Sequence, residues 1–331
     1  ATDLELEIEA VVTIPANSNL DREANDINLT IPGRKLLDIL RSLDVDSLIK
    51  FKQTSNIVNI SSGKSKFSLQ TLPSIDYPKL VSNNLSETHT ISFQLTQKEL
   101  KQMLLQVQYS MATQDIRYYL NGLLIKLEKN QIIMVATDGH RLGFIKKHID
   151  QTPESTEFII PRKAVLELVK LLSDDEDIVM VEKSETQASF KINSIILKTK
   201  LIEGTFPDYQ RVIPVDYEKS FNINRLELLQ ALQRASILAN EKFRGVRWVL
   251  SSNSLRVACN NADQEEAEEE LEIVYQYDPI DIGFNINYLI DALNNIKHKE
   301  VECSLGDENS SMLVTEPEND QFKYVVMPMK I

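Results

Sequence analysis

Residues 136–144 read ATDGHRLGF, and within them Asp138 stands two residues before His140 and close to Arg141. A carboxylate that orients an imidazole base is a recurring device of hydrolases, so this stretch is a candidate site for general-base catalysis. The chain also opens with the same three residues, in ATDL, and residues 258–261 read ACNN at the end of a further apolar run. Two of these three related segments lack a histidine. The pattern therefore favours a turn or a binding surface, and a hydrolase built on Asp138, His140 and Arg141 is the alternative.

The rest of the sequence contains no second catalytic or metal-binding pattern. The GKS at 63–65 is not a phosphate-binding P-loop, because that loop needs a glycine at the place of Val58. The motifs GxGxxG, GxSxG and HExxH are absent, the four histidines are far apart, and Cys259 and Cys303 form no CxxC pair. The acidic run DQEEAEEE at 263–270 has no ligand spacing and is typical of a solvated or partner-facing segment. We therefore predict no catalytic residue, no metal and no cofactor.

The composition is that of a soluble protein with more than one domain. The 331 residues are 42% hydrophobic and 26% charged, with a net charge of −13. No apolar run approaches the roughly 18 residues that a membrane span needs, and no secretory signal pattern is present. Two cysteines without a paired spacing fit a reducing compartment. We expect a cytoplasmic protein that does not enter a membrane.

The chain contains a threefold sequence repeat. The segments GRKLLDILRSL, PRKAVLELVKLL and NINYLIDALNNI start at 33, 161 and 285, and each has helical periodicity followed by strand-like alternation. Further helical patterns at 96–111 and 224–240 open the later two copies. A period of about 125 residues is too long for a solenoid unit and indicates whole α+β domains.

The repeat predicts three domains, at 1–86, 87–215 and 216–331. The opening ATDLELEIEAVVTI aligns with ATDGHRLGFIKKHI in the middle of copy two. We therefore expect the first domain to be incomplete at its N-terminal side, with an unpaired sheet edge and a partly uncovered core.

Charge is distributed unevenly between the helical segments and the rest of the chain. The five segments contain eleven basic and five acidic residues, a net +6, so the remainder carries −19. Such an asymmetry favours a basic helical surface that contacts phosphates, with an acidic surface elsewhere. The alternative is the mild lysine and arginine enrichment of ordinary solvated helices, which a scaffold that binds only proteins would also show.

Five motifs in order give a specific resemblance. ATDGHRL, QDIRYYLNG, FPDYQRVIP, NEKFRGVR and the terminal YVVMPMKI resemble the bacterial sliding clamps, the β subunits of the replicative DNA polymerase III holoenzyme. The resemblance covers essentially the whole chain. It departs from the family in the absent leading part of domain one and in short polar insertions near 16–25 and 81–88.

The resemblance implies a fold of three clamp domains and a ring of two head-to-tail chains. Helices would line a central hole, and antiparallel sheets would form the outside. Double-stranded DNA would pass through the hole without sequence reading. The replicative polymerase, the clamp loader, other polymerases and repair proteins would bind through linear peptides. Such a clamp is a processivity factor and catalyses nothing.

The resemblance also assigns residues to three sites. A peptide-binding pocket would comprise Leu120, Thr137, Gly139, His140, Arg141, Leu142, Pro207, Val212, Val325 and Met327. An adjoining groove would comprise Arg117, Tyr118, Tyr119, Asn285, Tyr288, Ser311, Pro328 and Met329. The DNA-facing residues would be Arg34, Lys35, Arg41, Lys98, Lys101, Gln114, Arg162, Lys163, Lys170, Arg225 and Arg234. The dimer interface would use Lys64, Lys66, Phe67 and Leu69 on one chain, and Ile237, Leu238, Glu265, Glu266 and Glu269 on the other.

The apolar C-terminus has a prediction of its own. Val325 and Val326 are expected to begin an edge strand that completes the third domain. The following residues, Met327 to Met329, are expected to lie beside His140 and Leu142, because a free apolar terminus would otherwise fray.

Overall fold

The computed structural model describes residues 1–12, 28–80, 90–151 and 154–330. The predicted polar insertions near 16–25 and 81–88 fall almost wholly outside these residues, as does the predicted boundary at 86. Two compact units are present, one of Ala1–Ser86 with Ser194–Lys198, the other of Glu87–Asn193 with Thr199–Ile331. Within the described ranges, no helix is long and apolar enough to cross a membrane.

The described residues of the first unit form an α-helix and short antiparallel strands. Its elements are β1 (Leu6–Ala10), α1 (Gly33–Ser42), β2 (Lys50–Thr54), β3 (Ile57–Ser62) and β4 (Ser65–Gln70). β2, β3 and β4 form a three-stranded sheet. Alternation along β3 and β4 buries Val58, Ile60 and Leu69 on one face. Helix α1 has no fully buried residue, and its apolar side chains Leu36 and Ile39 pack half-buried on that cluster.

The second repeat alternates helices and strands in the predicted order. Its elements are β5 (Ile91–Thr96), α2 (Gln97–Val107), β6 (Gly122–Glu128), β7 (Gln131–Thr137), β8 (Arg141–His148), β9 (Thr156–Pro161), α3 (Arg162–Leu171), β10 (Ile178–Lys183), β11 (Gln187–Ile192) and β12 (Ile195–Lys200). Thr96 begins α2 in a capping box with Glu99, which satisfies two backbone N–H groups at the helix start. After α2 the chain continues in a 3₁₀ turn, so the helix is shorter than the predicted 96–111.

The third repeat follows the same order. Its elements are β13 (Lys219–Asn224), α4 (Arg225–Ala235), β14 (Gly245–Ser251), β15 (Ser254–Asn260), β16 (Glu266–Glu272), β17 (Ile280–Asn285), α5 (Ile286–Asn295), β18 (Glu300–Leu305), β19 (Met312–Glu316) and β20 (Asn319–Val326). A four-stranded sheet has the order β16-β15-β14-β17. The fold class is α+β with antiparallel sheets, as the sequence predicts.

The last strand joins the second and third repeats. β20 pairs with β19 on one side and with β8 on the other, in an eight-stranded sheet of order β13-β18-β19-β20-β8-β7-β6-β9. Val325 lies opposite Leu142 and Val326 opposite Arg141. The prediction of an edge strand at Val325 and Val326 is therefore wrong. Both valines are buried, and Val325 belongs to an apolar cluster that contains Leu142.

Four helices of the second unit pack against one another. α3 contacts α2, α2 contacts α5, and α5 contacts α4, so they form one layer. Each helix also packs on strands: α2 on β7 and β8, α3 on β6 and β9, α4 on β15 and β16, and α5 on β17 and β20. The helices thus share an outward face, opposite the sheets that bury their apolar stripes.

Candidate functional site

The ATDGHRL stretch forms a tight turn between β7 and β8. Gly139 has a φ of +89°, and a Cβ there would lie 3.2 Å from a guanidinium nitrogen of Arg117, so glycine suits this position. The Thr137 hydroxyl donates to the Arg141 carbonyl (2.6 Å) and accepts from the Gly139 N–H (3.0 Å). Asp138 Oδ1 accepts from the N–H groups of His140 (2.9 Å) and Arg141 (3.0 Å). Local side-chain bonds therefore fix the turn.

Asp138 is not placed to orient a histidine base. Its second oxygen, Oδ2, accepts from Arg141 Nε at 3.0 Å, so both oxygens are engaged by the turn and by Arg141. The Asp138 contact to His140 is with the backbone, and His140 is exposed. Within the described residues, no three histidine, cysteine or acidic side chains are grouped to hold a metal ion. The hydrolase hypothesis lacks the geometry that it needs.

The turn forms one wall of a cavity of about 160 Å³. The structure brings together around it all ten residues predicted for the pocket. Arg117, which was predicted for the groove, also lines it, and so does Tyr209, which the sequence did not single out. Tyr209 lies within the FPDYQRVIP motif on a 3₁₀ turn, and its ring packs 5.9 Å from that of Phe144. The only sequence signal for Tyr209 was its place inside that motif.

The cavity floor belongs to the hydrophobic core of the second repeat. Leu142, Tyr209 and Val325 are part of one buried cluster that also contains Leu124 and Phe144. Val212 and Met327 stand at the rim, 38% and 42% exposed. The Met327 N–H donates to the His140 carbonyl at 2.8 Å, which joins the C-terminal segment to the turn. The predicted position of Met327 beside His140 is therefore present in the structure.

The other predicted groove residues are not gathered in the same cavity. Tyr118 is 58% exposed, whereas Tyr119 packs half-buried on the core cluster. Asn285 caps α5, since its side chain accepts from the Asn287 N–H at 3.0 Å. Ser311 and Pro328 are half-buried. Met329 donates its N–H to the Gly283 carbonyl (2.8 Å) and lines a separate, more polar cavity beside β14 and β17.

Arg141 is an internal ion-pair residue. Its side chain is 10% exposed and reaches Asp138 at 3.0 Å and Asp291 at 2.7 Å. The guanidinium carbon lies 4.2 Å from the ring centre of Tyr288, a cation–π distance. Burial by itself would lower the pKa of Arg141, but the Tyr324 hydroxyl and the two carboxylates raise it above its usual value. Arg141 is therefore charged in the fold.

Arg117 forms a second, exposed pair at the cavity mouth. Its Nη2 lies 2.8 Å from Asp115 Oδ2, and its Nε and backbone N–H also donate to this carboxylate. These bonds lower the pKa of Asp115 to about 2. The pair holds the loop that precedes Tyr118.

Several predicted DNA-facing side chains of the second unit form ion pairs with acidic residues of the same chain. Lys98 pairs with Glu176 (2.7 Å), and Lys101 with Asp174 (3.1 Å), because the acidic loop after α3 lies beside the start of α2. Arg234 pairs with Glu269 (2.6 Å) across α4 and β16. Acidic residues of the same chain thus lie beside three of the predicted DNA-facing side chains, whose contact with DNA stays a prediction.

The remaining basic residues have mixed surroundings. Arg162 donates to the Met111 carbonyl, Arg225 donates to the Leu293 and His298 carbonyls, and Lys170 pairs with Glu167 at 2.8 Å. Lys163 and Gln114 are exposed. In the first unit Arg34, Lys35 and Arg41 are exposed, and the described residues contain no ion pair that involves them.

The residues predicted for the dimer interface differ in exposure. Leu69 is 8% exposed and packs on Val58 and Ile60 of its own sheet, because strand alternation turns it inward. Phe67 is half-buried on the same cluster, and the interface role of Phe67 and Leu69 stays a prediction. Lys64 and Lys66 are exposed. In the second unit Ile237 is 78% exposed, Leu238 is half-buried, Glu265 and Glu266 are exposed, and Glu269 is paired with Arg234.

Family models match almost the entire chain. The DNA polymerase III beta subunit models match with the N-terminal domain at residues 1–81, the central domain at 94–208 and the C-terminal domain at 210–330. The beta sliding clamp of Vibrio cholerae is 41% identical over 332 residues, which cover 100% of this chain and 88% of that protein. The beta sliding clamp of Escherichia coli K12 is 39% identical over 331 residues, with coverage of 100% and 87%.

Solved structures of the same kind superimpose closely. A crystal structure of a DNA polymerase sliding clamp from Pseudomonas aeruginosa with ligand has a TM-score of 0.91 and 38% identity, and covers 100% of this chain and 88% of that chain. A structure of the sliding clamp from the same organism bound to griselimycin has a TM-score of 0.91 and 38% identity, with coverage of 100% and 87%.

Proposed function

The chain belongs to the DNA polymerase III beta subunit family, the bacterial sliding clamps, and we propose that its partners dock in the cavity beside the 137–142 turn. The observation that carries this proposal is the convergence of three distant segments on one apolar cavity. The turn of copy two, the FPDYQRVIP segment and the C-terminal residues Val325 and Met327 all line it. A protein with this function acts by tethering and needs no catalytic residue.

The cavity has the size and chemistry for one apolar side chain of a linear peptide. Apolar cavities of about 150 Å³ can hold a benzene-sized group, and this cavity measures about 160 Å³. A leucine or phenylalanine side chain buried there would gain roughly 1.5–3 kcal/mol. Neighbouring contacts along the groove would bring the affinity into a reversible micromolar range, roughly −8 kcal/mol. Rim residues such as Met327 can adapt to related peptides.

DNA is held by encirclement in this proposal. Two copies joined head to tail, through two different surfaces on each chain, would close into a ring. The shared outward face of α2, α3, α4 and α5 would line the hole in the second and third domains. Helix α3 carries three of the predicted DNA-facing residues, Arg162, Lys163 and Lys170. Like Lys98, Lys101 and Arg234, Lys170 is paired with an acid of the same chain, so phosphates would have to displace these carboxylates.

Charge reversal on α3 tests this part of the proposal. Arg162→Glu, Lys163→Glu and Lys170→Glu together should weaken the equilibrium binding of the clamp to a short linear duplex, from whose open ends a ring can slide. If three phosphate contacts are lost, the slope of log K against log salt should fall by about 3. The matched control reverses Lys183, Lys191 and Lys200 on β10–β12, which gives the same change in net charge. Unchanged affinity and salt dependence in the α3 variant, or equal effects in the control, would count against a DNA-facing α3.

A further inference from the structure

Asp291 lies on α5 in the third domain, outside the residues that line the cavity. Its Oδ2 is 2.7 Å from Arg141 Nη1, and its side chain is 42% exposed. We propose that Asp291 is a positioning residue of the docking cavity and that it acts through Arg141. This inference rests on the proposed function of the cavity. In this inference Asp291 contributes to peptide binding without touching the peptide.

A continuous series of bonds leads from Asp291 to the cavity wall. Asp291 holds one side of the Arg141 guanidinium, and Nε on the other side donates to Asp138 Oδ2 at 3.0 Å. The other oxygen of Asp138 accepts from the His140 and Arg141 N–H groups at 2.9 and 3.0 Å. Those two N–H groups belong to the turn that forms the wall. The position of the turn is thus coupled to the charge on Asp291.

The same helix is bonded to the opposite wall. Tyr288 and Asp291 are three positions apart on α5 and therefore share a face. The guanidinium of Arg141 lies over the Tyr288 ring at 4.2 Å. The hydroxyl of Tyr324, on β20, donates to the Tyr288 carbonyl at 2.9 Å. Because β20 contains Val325 and leads directly into Met327, α5 is attached to both sides of the cavity.

The burial of Arg141 makes this arrangement sensitive to the loss of one charge. An arginine side chain that is only 10% exposed depends on its charged hydrogen-bond partners, since a bond between ionised groups is roughly twice as strong as a neutral one. Without the Asp291 carboxylate, Asp138 would be the remaining acidic partner on the guanidinium. The guanidinium would then be held through Asp138 Oδ2 alone, while Asp138 Oδ1 accepts the turn N–H groups, so a shift of the guanidinium would move the turn with it. The turn would then shift, and the cavity wall that it forms would no longer face Met327.

The test compares three single variants with the unaltered full chain. Asp291→Asn removes the charge and keeps the shape, while Asp291→Glu keeps the charge. Asp281→Asn is the matched control, because it breaks the exposed pair with Arg247 in the same domain. Calorimetry measures the Kd of a synthetic linear peptide that carries adjacent leucine and phenylalanine residues, and thermal unfolding gives Tm for each variant.

We expect Asp291→Asn to bind the peptide about five- to tenfold more weakly, as coupled neighbours in one network do. Asp281→Asn should bind like the unaltered chain, and Asp291→Glu should recover most of the affinity. In an Arg141→Gln background, Asp291→Asn should cause no further loss. A lowered Tm with an unchanged Kd for Asp291→Asn would overturn the inference, as would equal losses in Asp291→Glu or the control. If the unaltered chain does not bind the peptide at all, the proposed function fails, and the inference fails with it.

Discussion

The C-terminal segment can be removed without disturbing the strand that precedes it. β20 pairs with β8 up to Val326 opposite Arg141, and with β19 up to Val326 opposite Met312. A chain that stops after Val326 therefore keeps both ladders. It loses Met327, which lines the cavity, and the 2.8 Å bond from the Met327 N–H to the His140 carbonyl.

The size of the effect follows from these two losses. A peptide side chain buried in the cavity gains roughly 1.5–3 kcal/mol, and removing one of its walls forfeits about half of that, roughly 1 kcal/mol. A hydrogen bond that holds the turn contributes roughly 0.5–1.5 kcal/mol. Together the losses reach roughly 2 kcal/mol, which is about a 30-fold weaker peptide Kd.

Isothermal titration calorimetry with a leucine–phenylalanine peptide measures this change. The control removes only Lys330 and Ile331 and keeps Met327 in place. Sedimentation of both truncated chains should show the same assembly as the intact chain, because the docking cavity and the predicted dimer surfaces involve different residues. Undiminished affinity after removal of Met327 would place the docking site elsewhere. An equal loss in the control would assign the effect to the last two residues.

Two further predictions concern assembly and pH. Ile237 is 78% exposed in the single chain, so the predicted partner chain would bury it. Ile237→Ala with Leu238→Ala removes apolar side chains worth roughly 2–5 kcal/mol each when buried, and the double variant should therefore sediment as a monomer. An intact dimer would contradict the assigned interface. Arg117 lowers the pKa of Asp115 to about 2, so the stabilisation from this pair is complete above the usual aspartate pKa and is lost only as the pH falls through about 2. An NMR titration of the Asp115 carboxyl in the unaltered chain should therefore show no midpoint near 4, about the usual aspartate value. In Arg117→Ala the midpoint should return to about 4. A midpoint near 4 in the unaltered chain would refute the pairing.

Local patterns in the sequence determined the elements and their repetition. Helical periodicity at 33–43, 161–172 and 285–296 predicted α1, α3 and α5 to within two residues at either end, because an apolar stripe depends only on spacing along the chain. Motif resemblance named the ten pocket residues that line the cavity. The sequence also showed that His140 belongs to a turn shared with segments that lack histidine, which disfavoured catalysis before any geometry was known.

Partners across the fold were decided only by tertiary packing. Arg141 and Asp291 are separated by 150 positions, and nothing local indicates that α5 brings them within 2.7 Å. The acidic loop beside α2 places Glu176 and Asp174 within ion-pair distance of Lys98 and Lys101, which a count of charges by segment could not show. Strand pairing places Val326 between β8 and β19, where the sequence predicted an edge. Periodicity reports which face of an element is buried, whereas the residue that lies opposite depends on how distant elements pack.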